Sequence, residues 1–423
     1  MKSIQATYEK NTPKSAAAQR RAHGAVLGGN SRGAAYHAPY PLTIEHGDGA
    51  RIVDIDGREY LDLINNYTSL VHGHAYPPIV EAARRQVGLG TAWTANNVWQ
   101  TELAEALIER VGSFDSVRFT NSGTEAGMLA LQIARTITGR TNVLMARYGY
   151  HGSLMEFEVG SFPGLYDDHA QDRTYLATFN DADDFEAVLA EHGSEIAAVV
   201  IEPVMGGGGV VSATPEFLAR VRDATHAAGA LLVFDEVIAF RLATGGAQAL
   251  MGVEPDLTML GKLIGGGFPV GAVGGSNEYM GIFDPAKPRG FHSGTYNANP
   301  VTMAAGVVSV RELTAERIDR MDALGERLAD SLTRSAGQHG LPFCLRRRGS
   351  LIQIFFQEEA PPNTILSRDG DKSAGFHLAA LNHGMMIAGR GMIALSTVMD
   401  EELIDDAAQR ADAAMEDVAR EFG

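Results

Sequence analysis

From about residue 100 to residue 235, stretches with helical periodicity alternate with short apolar runs. The apolar runs are 117–120, 142–146, 197–203 and 231–235. The helical stretches that accompany them are 101–111, 124–138, 183–192 and 215–228. This alternation is typical of a mostly parallel sheet with helices on both faces, because parallel strands need long crossover connections. The central part of the chain is therefore predicted to have an α/β fold.

The N-terminal part of the chain has a different character. Residues 1–50 are polar and then rich in Gly and Pro, so we expect an arm and an irregular segment rather than an independent domain. Residues 51–61 alternate with period two around Asp56-Gly57, which predicts a β-hairpin.

The C-terminal part mixes helices and strands. We predict helices over 314–335 and 401–422, and strands over 350–356 and 385–388, which together indicate a smaller α+β domain. The predicted division of the chain is a segment 1–75 that contributes to the small domain, a large domain 76–310, and the C-terminal small domain 311–423.

An excess of acidic residues limits the partners. Lys and Arg total 35 while Asp and Glu total 52, which gives a net charge of −17. Such a chain repels phosphate backbones and anionic membranes, so we expect neither nucleic acid nor a membrane as partner. The single cysteine, Cys344, excludes an intrachain disulfide, and the N-terminus lacks the apolar core of a signal peptide. These features favour a cytoplasmic protein, and we predict no metal site.

One lysine stands in an otherwise small and apolar run. Lys262 is the only cation in 260–267, and a desolvated lysine can lose its proton and form an imine with an aldehyde. Upstream, the run 231–235 ends in Asp235, at the strand end where parallel sheets bind ligands, and a carboxylate there can hold a protonated pyridine nitrogen. Pyridoxal phosphate (PLP) requires this pairing. Taken singly, each residue has a simpler interpretation, as a solvated lysine or as the start of a loop.

A candidate phosphate site precedes one of the predicted helices. Ser122, Gly123 and Thr124 lie between a strand and a helix, where unpaired N–H groups and hydroxyls can bind an anion. The alternative is an ordinary helix cap. After the next strand, Tyr150 is a candidate to stack on a flat ring, with core packing of Tyr150 and a turn capped by His151 as the alternative.

The order of the short motifs resembles that of one family. The motifs are Ser122-Gly123-Thr124-Glu125-Ala126, Gly149-Tyr150-His151-Gly152, Glu202-Pro203, Asp235-Glu236-Val237, Gly261-Lys262 and His292-Ser293-Gly294-Thr295-Tyr296. From about residue 25 onwards, the chain is similar to the class III aminotransferases of PLP fold type I. The resemblance implies a large domain with a mostly parallel sheet of the seven-stranded type, flanked by helices, and a smaller α+β domain.

The resemblance also implies roles for individual residues. Lys262 would bind the cofactor covalently, Asp235 would bind the pyridine nitrogen, and Ser122, Gly123 and Thr124 would hold the phosphate. The remaining implied contacts are those of Tyr150 and Val237 with the two ring faces, Glu202 with the ring edge, and Thr295 with the phosphate of a neighbouring subunit. The active unit would then be a homodimer.

Departures from the common family pattern indicate a branch. The run Ile238-Ala239-Phe240-Arg241-Leu242 resembles the branch that contains glutamate-1-semialdehyde aminomutase and the aromatic β-amino acid aminotransferases. The surroundings of Arg32 and Arg390 are similar to those in the β-phenylalanine aminotransferases, and arginine pairs bidentately with carboxylates. We therefore predict that Arg32 and Arg390 bind the carboxylates of an aromatic β-amino acid and of a keto acid such as 2-oxoglutarate or pyruvate.

Three other functions remain open at this point. One is an intramolecular isomerase on the same scaffold, such as the aminomutase or a racemase, which needs no second keto acid. Another is a non-catalytic PLP-binding protein, although the presence of both Lys262 and Asp235 argues against it. The third is a nucleotide-binding α/β protein, which the lack of a Gly-x-Gly-x-x-Gly motif disfavours.

Overall fold

The computed structural model describes residues 1–161 and 173–423, and the chain forms two compact units. The central unit is Pro77–Ile318, and the terminal unit combines Met1–Tyr76 with Asp319–Gly423. Within the described residues, no helix combines the length and the apolar character that crossing a membrane requires.

A seven-stranded sheet forms the middle of the central unit. Its strands in chain order are β1 (Ser116–Thr120), β2 (Asn142–Ala146), β3 (Thr174–Ala177), β4 (Ile196–Ile201), β5 (Leu231–Asp235), β6 (Leu257–Gly261) and β7 (Gly271–Gly275). Their spatial order is β1-β7-β6-β5-β4-β2-β3, and β7 pairs antiparallel with both of its neighbours while the other pairs are parallel. The predicted mostly parallel sheet is therefore confirmed.

The middle strands of this sheet are buried along their whole length, as expected where helices cover both faces. The helices of the central unit are Pro77–Leu89, Val98–Arg110, Gly123–Thr138, Met155–Ser161, Ala182–His192, Pro215–Ala227, Gly246–Met251, Asn277–Met280 and Pro300–Glu312. Helix Gly123–Thr138 shows how sequence sets the bounds. It begins after the N-cap Ser122, ends at Gly139 in the left-handed conformation, and buries Ala126, Ala130 and Ile133.

The terminal unit is a mixture of helices and short sheets around its own core. Its helices are Lys2–Asn11, Pro13–His23, Gly370–Asn382, Glu401–Phe422 and most of Ala315–Gln338. One sheet contains Ile44–Asp48, Arg51–Asp54, Glu59–Asp62 and Met385–Met386, and another contains Cys344–Arg348, Leu351–Phe355 and Met392–Ala394. The hairpin predicted over 51–61 is confirmed by the antiparallel pairing of Arg51–Asp54 with Glu59–Asp62.

The expectation of an irregular arm over residues 1–50 was wrong for its first half. Lys2–Asn11 and Pro13–His23 are helices, the second with Pro13 in its first turn. The first helix buries only Ile4 and Tyr8, four residues apart on one face. A stripe of two apolar side chains is too narrow to give a helical signal in a segment that is otherwise polar.

The close packing of β7 against the loop after β1 gives a stability prediction. A Cβ atom on Gly271 would lie 2.0 Å from the Ser122 carbonyl oxygen, so we expect Gly271→Ala to destabilise the protein by about 2 kcal/mol or more, measured by urea unfolding. Gly281→Ala is the matched control, because Gly281 has φ −63° and open space around its Cβ position. A Gly271→Ala protein as stable as this control would contradict the prediction.

Candidate active site

A buried carboxylate lies at the carboxyl end of β5. Asp235 is only 4% exposed, and its Oδ2 lies 2.9 Å from Nδ1 of His151. Its Oδ1 accepts the N–H of Val237 at 3.0 Å. A buried carboxylate keeps its charge only where such partners replace water, so the site is built to hold a negative charge at this strand end.

His151, which follows β2, is the residue that holds Asp235. Burial lowers the pKa of His151, but the hydrogen bond and charge of Asp235, with the charge of Glu202, outweigh burial and raise the pKa overall. Its Nε2 is buried and has no hydrogen-bond partner among the described residues. The sequence placed His151 in a turn but gave no sign of this pairing, which joins residues 84 positions apart.

Glu202 follows β4 and is also buried. Its Oε2 accepts the N–H of Tyr150 at 3.2 Å, and its Oε1 accepts the N–H of Gly206 at 3.0 Å. Burial raises the pKa of Glu202 to about 7, with the charge of His151 opposing the shift and that of Asp235 adding to it. Three ionisable groups thus share one buried cluster.

The start of helix Gly123–Thr138 is fixed by reciprocal capping. Ser122 Oγ accepts the N–H of Glu125 at 3.1 Å, and Glu125 Oε2 accepts the N–H of Asn121 at 2.7 Å. Thr124 Oγ1 accepts the N–H of Ser153 at 3.2 Å. The helix cap considered as an alternative is therefore present, and it leaves the first N–H groups of the helix oriented as an anion site requires.

Lys262 comes directly after β6, the parallel neighbour of β5. Asp235 pairs in register with Met259, so Lys262 leaves the sheet three residues beyond that pair, at the edge where Asp235 lies. Lys262 has φ +50°, a left-handed conformation that is costly for a residue with a side chain. The side chain is half-buried and opens the short 3₁₀ turn Lys262–Gly265.

The remaining predicted residues of the central unit lie around this edge or on the surface. A Cβ on Gly123 would be 3.2 Å from Val237, so the valine packs against the helix start. Tyr150 and Thr295 are exposed. The set fits PLP, because a buried carboxylate suits its pyridinium, a helix N-terminus suits its phosphate, and a lysine suits its aldehyde.

Arg32 and Arg390 belong to the terminal unit, and both are exposed. Arg32 donates to Asn66 Oδ1 at 2.7 Å, and its guanidinium carbon lies 5.7 Å from the centre of the Tyr67 ring. Burial raises the pKa of Tyr67, and the charges of Arg390 and Arg32 oppose the shift. Both arginines therefore act on one phenol, whose hydroxyl donates to the Ala34 carbonyl.

The turn that carries Asn66 and Tyr67 was missed from the sequence. All four residues of Asn65–Thr68 have positive φ, from +50° to +74°. Two adjacent asparagines are the only available signal, since asparagine tolerates this conformation better than most residues.

The comparisons with known proteins agree with this arrangement. Residues 33–418 match the family model for aminotransferase class III. The chain is similar to glutamate-1-semialdehyde 2,1-aminomutase 2 of Geobacillus kaustophilus (strain HTA426), with 40% identity over 362 residues, 82% of this chain and 84% of that protein.

Two solved structures are also similar. An omega-transaminase from Sphaerobacter thermophilus superposes with a TM-score of 0.92 and 40% identity, covering 96% of this chain and 97% of that one. A β-phenylalanine aminotransferase from Variovorax paradoxus has a TM-score of 0.90 and 34% identity, covering 97% of this chain and 96% of that one.

The raised pKa of Glu202 predicts a pH dependence of stability. Between the ordinary value of 4.5 and about 7, the folded protein holds a proton on Glu202 that the unfolded chain has lost. This contribution is fully present below pH 4.5 and is lost as the pH rises through about 7, with a slope of at most about 1.4 kcal/mol per pH unit. In urea unfolding of the cofactor-free protein, we expect Glu202→Gln to remove this part of the slope.

Exposed Glu216 supplies the control, since Glu216→Gln should leave the slope of the original protein unchanged. Identical slopes for Glu202→Gln and the original protein would show that Glu202 does not hold the proton.

Proposed function

Since the chain belongs to the class III aminotransferases, a family of PLP-dependent enzymes, we propose that it moves an amino group from an aromatic β-amino acid to a keto acid such as 2-oxoglutarate or pyruvate. The observation that carries the proposal is the position of Arg32, whose guanidinium carbon lies 5.7 Å from the centre of the Tyr67 ring, together with the charge of Arg390, which acts on the same phenol. A transaminase binds the carboxylate of its donor and then that of its acceptor. Two guanidinium groups whose charges act on the same phenol suit that alternation.

The central unit supplies the residues that would hold the cofactor. When bound, PLP supplies an electron sink for the carbanion formed at the substrate. Asp235 would accept a hydrogen bond from the pyridine nitrogen, and Lys262 would bond covalently to the aldehyde carbon. The other proposed contacts are Ser122, Gly123 and Thr124 with the phosphate, Tyr150 and Val237 with the ring faces, and Glu202 with the ring edge.

Lys262 would also move the proton. As a free amine, Lys262 Nζ would act as the general base that takes the proton from the substrate carbon bearing the nitrogen, and would hold that proton for its return. His151 acts one step away, since its Nδ1–H donates to the Asp235 carboxylate at 2.9 Å and holds it in place. His151 is thus a positioning residue for Asp235.

A homodimer is part of the proposal. Phe291 and Tyr296 of the central unit are 83% and 62% exposed, and large apolar side chains at such exposure are typical of a surface that another chain covers. Thr295 lies between them in the sequence and would reach the phosphate of the partner's cofactor. A mass of one chain in light scattering would contradict this assembly.

The alternative function is that of the aminomutase, which the 40% identity to the Geobacillus kaustophilus protein favours. An aminomutase would convert glutamate 1-semialdehyde without a second keto acid. The proposed transaminase would turn over 3-amino-3-phenylpropanoate only when a keto acid is added. An assay with both substrates, with and without 2-oxoglutarate or pyruvate, separates the two functions.

The role of Lys262 gives a direct prediction. After borohydride reduction, peptide mass spectrometry should find the cofactor on Lys262 in the original protein. Lys262→Ala should carry no covalent cofactor and should lose at least about 100-fold in rate, because its general base is gone. The exposed Lys287, changed to Ala, is the control and should keep both properties. Covalent cofactor on another lysine would refute the assignment.

The two arginines predict a loss of selectivity for carboxylates. We expect Arg390→Ala and Arg32→Ala to lower the ratio of kcat/KM for 3-amino-3-phenylpropanoate to that for 1-phenylethylamine by about 10-fold to 100-fold. A lost charge-assisted hydrogen bond has this size, and 1-phenylethylamine has no carboxylate to lose it. Arg334→Ala removes an equally exposed arginine elsewhere and should not change the ratio. An unchanged ratio in both test variants would contradict carboxylate binding by these residues.

A further inference from the structure

A glutamine lies in the middle of an otherwise apolar strand of the terminal unit. Gln353 is fully buried, and its neighbours in the strand Leu351–Phe355 are leucine, isoleucine and phenylalanine side chains that are buried as well. A polar amide in such surroundings costs free energy unless hydrogen bonds replace the water that it loses. The bonds that Gln353 makes therefore indicate what the amide does there.

The side-chain amide of Gln353 contacts the loop that carries Arg390. Its Nε2 donates to the Arg390 carbonyl oxygen and also, at 3.1 Å, to the carbonyl oxygen of the next residue, Ile354. Its Oε1 is buried and has no hydrogen-bond partner among the described residues. The bond to Arg390 joins residues 37 positions apart and is the one of these two that leaves the strand.

The loop around Arg390 has little restraint of its own. Arg390 lies between Gly389 and Gly391, and Gly391 has φ +87°. Because glycine is conformationally permissive, these neighbours do not fix the direction of the arginine side chain. At the base of the loop, the Ala388 N–H donates to the Met392 carbonyl at 3.0 Å, and the Gly391 N–H donates to the Ala388 carbonyl at 2.8 Å. These bonds close the loop but leave the Arg390 carbonyl to be held from outside.

Two hydrogen bonds from the strand Leu351–Phe355 hold the tip of this loop. The Ile354 N–H donates to the Gly391 carbonyl at 3.1 Å, and the Gln353 side chain donates to the Arg390 carbonyl. A Cβ atom on Gly391 would lie 2.9 Å from the Ile354 carbonyl oxygen and 3.1 Å from Gln353 Nε2, so this close approach requires glycine. Of the two bonds, the one from Gln353 fastens the backbone of Arg390 itself.

We propose that Gln353 is a positioning residue that fixes the backbone of Arg390, so that the Arg390 guanidinium is aligned for the substrate carboxylate. The inference rests on the proposed function, since it takes Arg390 as a carboxylate-binding group. Bidentate pairing requires an aligned guanidinium, and a group that is held in place beforehand loses less conformational freedom on binding. The charge of Arg390 also acts on the phenol of Tyr67, so the loop that Gln353 holds presents the arginine to the candidate carboxylate site.

The test compares a substrate that has a carboxylate with one that lacks it. Gln353→Met keeps the approximate size of the side chain and removes its donor. In the holoenzyme, we expect this variant to lower the ratio of kcat/KM for 3-amino-3-phenylpropanoate to that for 1-phenylethylamine by about threefold to tenfold, less than the loss of Arg390 itself. The change should appear in KM for 3-amino-3-phenylpropanoate, with kcat altered by less than about twofold, because binding of the carboxylate is weakened. An unchanged ratio, or a loss confined to kcat, would overturn the proposal.

A double variant shows whether Gln353 acts through Arg390. The ratio for Gln353→Met combined with Arg390→Ala should equal the ratio for Arg390→Ala alone, because no guanidinium is left to position. A residue that supported the whole site instead would lower the ratio in both backgrounds. If Gln353→Met lowers the ratio by the same factor with and without Arg390, the glutamine acts elsewhere and the proposal is wrong.

Ile352→Met is the matched control. Ile352 precedes Gln353 in the same strand and is equally buried, but its side chain points to the opposite face of the sheet, so the ratio should not change. In thermal unfolding, Gln353→Met should lower the Tm by no more than about 4 °C, as expected for the loss of one hydrogen bond in a protein of this size. An equal fall of the ratio in Ile352→Met, a larger fall in Tm for Gln353→Met, or its failure to fold would assign Gln353 to the fold and overturn the proposal.

Arg390→Ala separates failure of this inference from failure of the proposed function. If the original protein does not turn over 3-amino-3-phenylpropanoate, the proposed function is wrong and the inference falls with it. If Arg390→Ala leaves the ratio unchanged, Arg390 does not bind the carboxylate and the proposed function loses that support. If Arg390→Ala lowers the ratio but Gln353→Met does not, only the role of Gln353 is wrong.

Discussion

The buried carboxylate of Asp235, at the end of β5, is the constraint that the segments around it in the central unit must satisfy. An ionised group removed from water must be paired, and the partners here come from other parts of the chain. His151 lies in the segment that follows β2. Two residues of this segment have positive φ, Tyr148 with +65° and Gly152 with +99°. A side chain on Gly152 would collide with Thr124, so the helix start and the histidine segment fit together only with glycine there.

The same pairing explains the behaviour of Glu202. With Asp235 negative and His151 positive, the buried cluster is close to neutral, and a further negative charge on Glu202 would not be compensated. Burial therefore dominates, and the pKa of Glu202 rises to about 7. Burial also raises the pKa of Glu236 to about 7, and the N–H groups of Ala247 and Gln248 that its carboxylate accepts oppose this shift. These hydrogen bonds anchor the helix Gly246–Met251. Of the two adjacent acidic residues, Asp235 therefore belongs to the candidate site, while Glu236 stabilises the fold.

The sequence was informative where local pattern and function coincide. The strands 142–146 and 231–235 and the helix 401–422 have the predicted bounds, because each has a strong apolar period or a continuous apolar run. Asp235 was singled out because it ends an apolar run, and Lys262 because it is the one cation in a run of small and apolar residues; the structure places both at one edge of the sheet. The contacts of His151 with Asp235, and of Arg32 with Asn66, were not found, since they join residues 84 and 34 positions apart and no local pattern encodes them.

Residues with positive φ occur at the candidate site and also elsewhere among the described residues, at Ala75, Val210 and Ala298 for example. Asn180 also has a positive φ, but it is an asparagine whose side chain bonds the backbone of Ser212 and Thr214, so its conformation is explained by the fold. Lys262 and Tyr67 also have positive φ, but neither residue type tolerates this conformation as asparagine does. A left-handed conformation at a residue with a long or bulky side chain costs of order 1–3 kcal/mol. Their strain persists only because the surroundings hold it, and in both cases it fixes a side chain beside a proposed binding group.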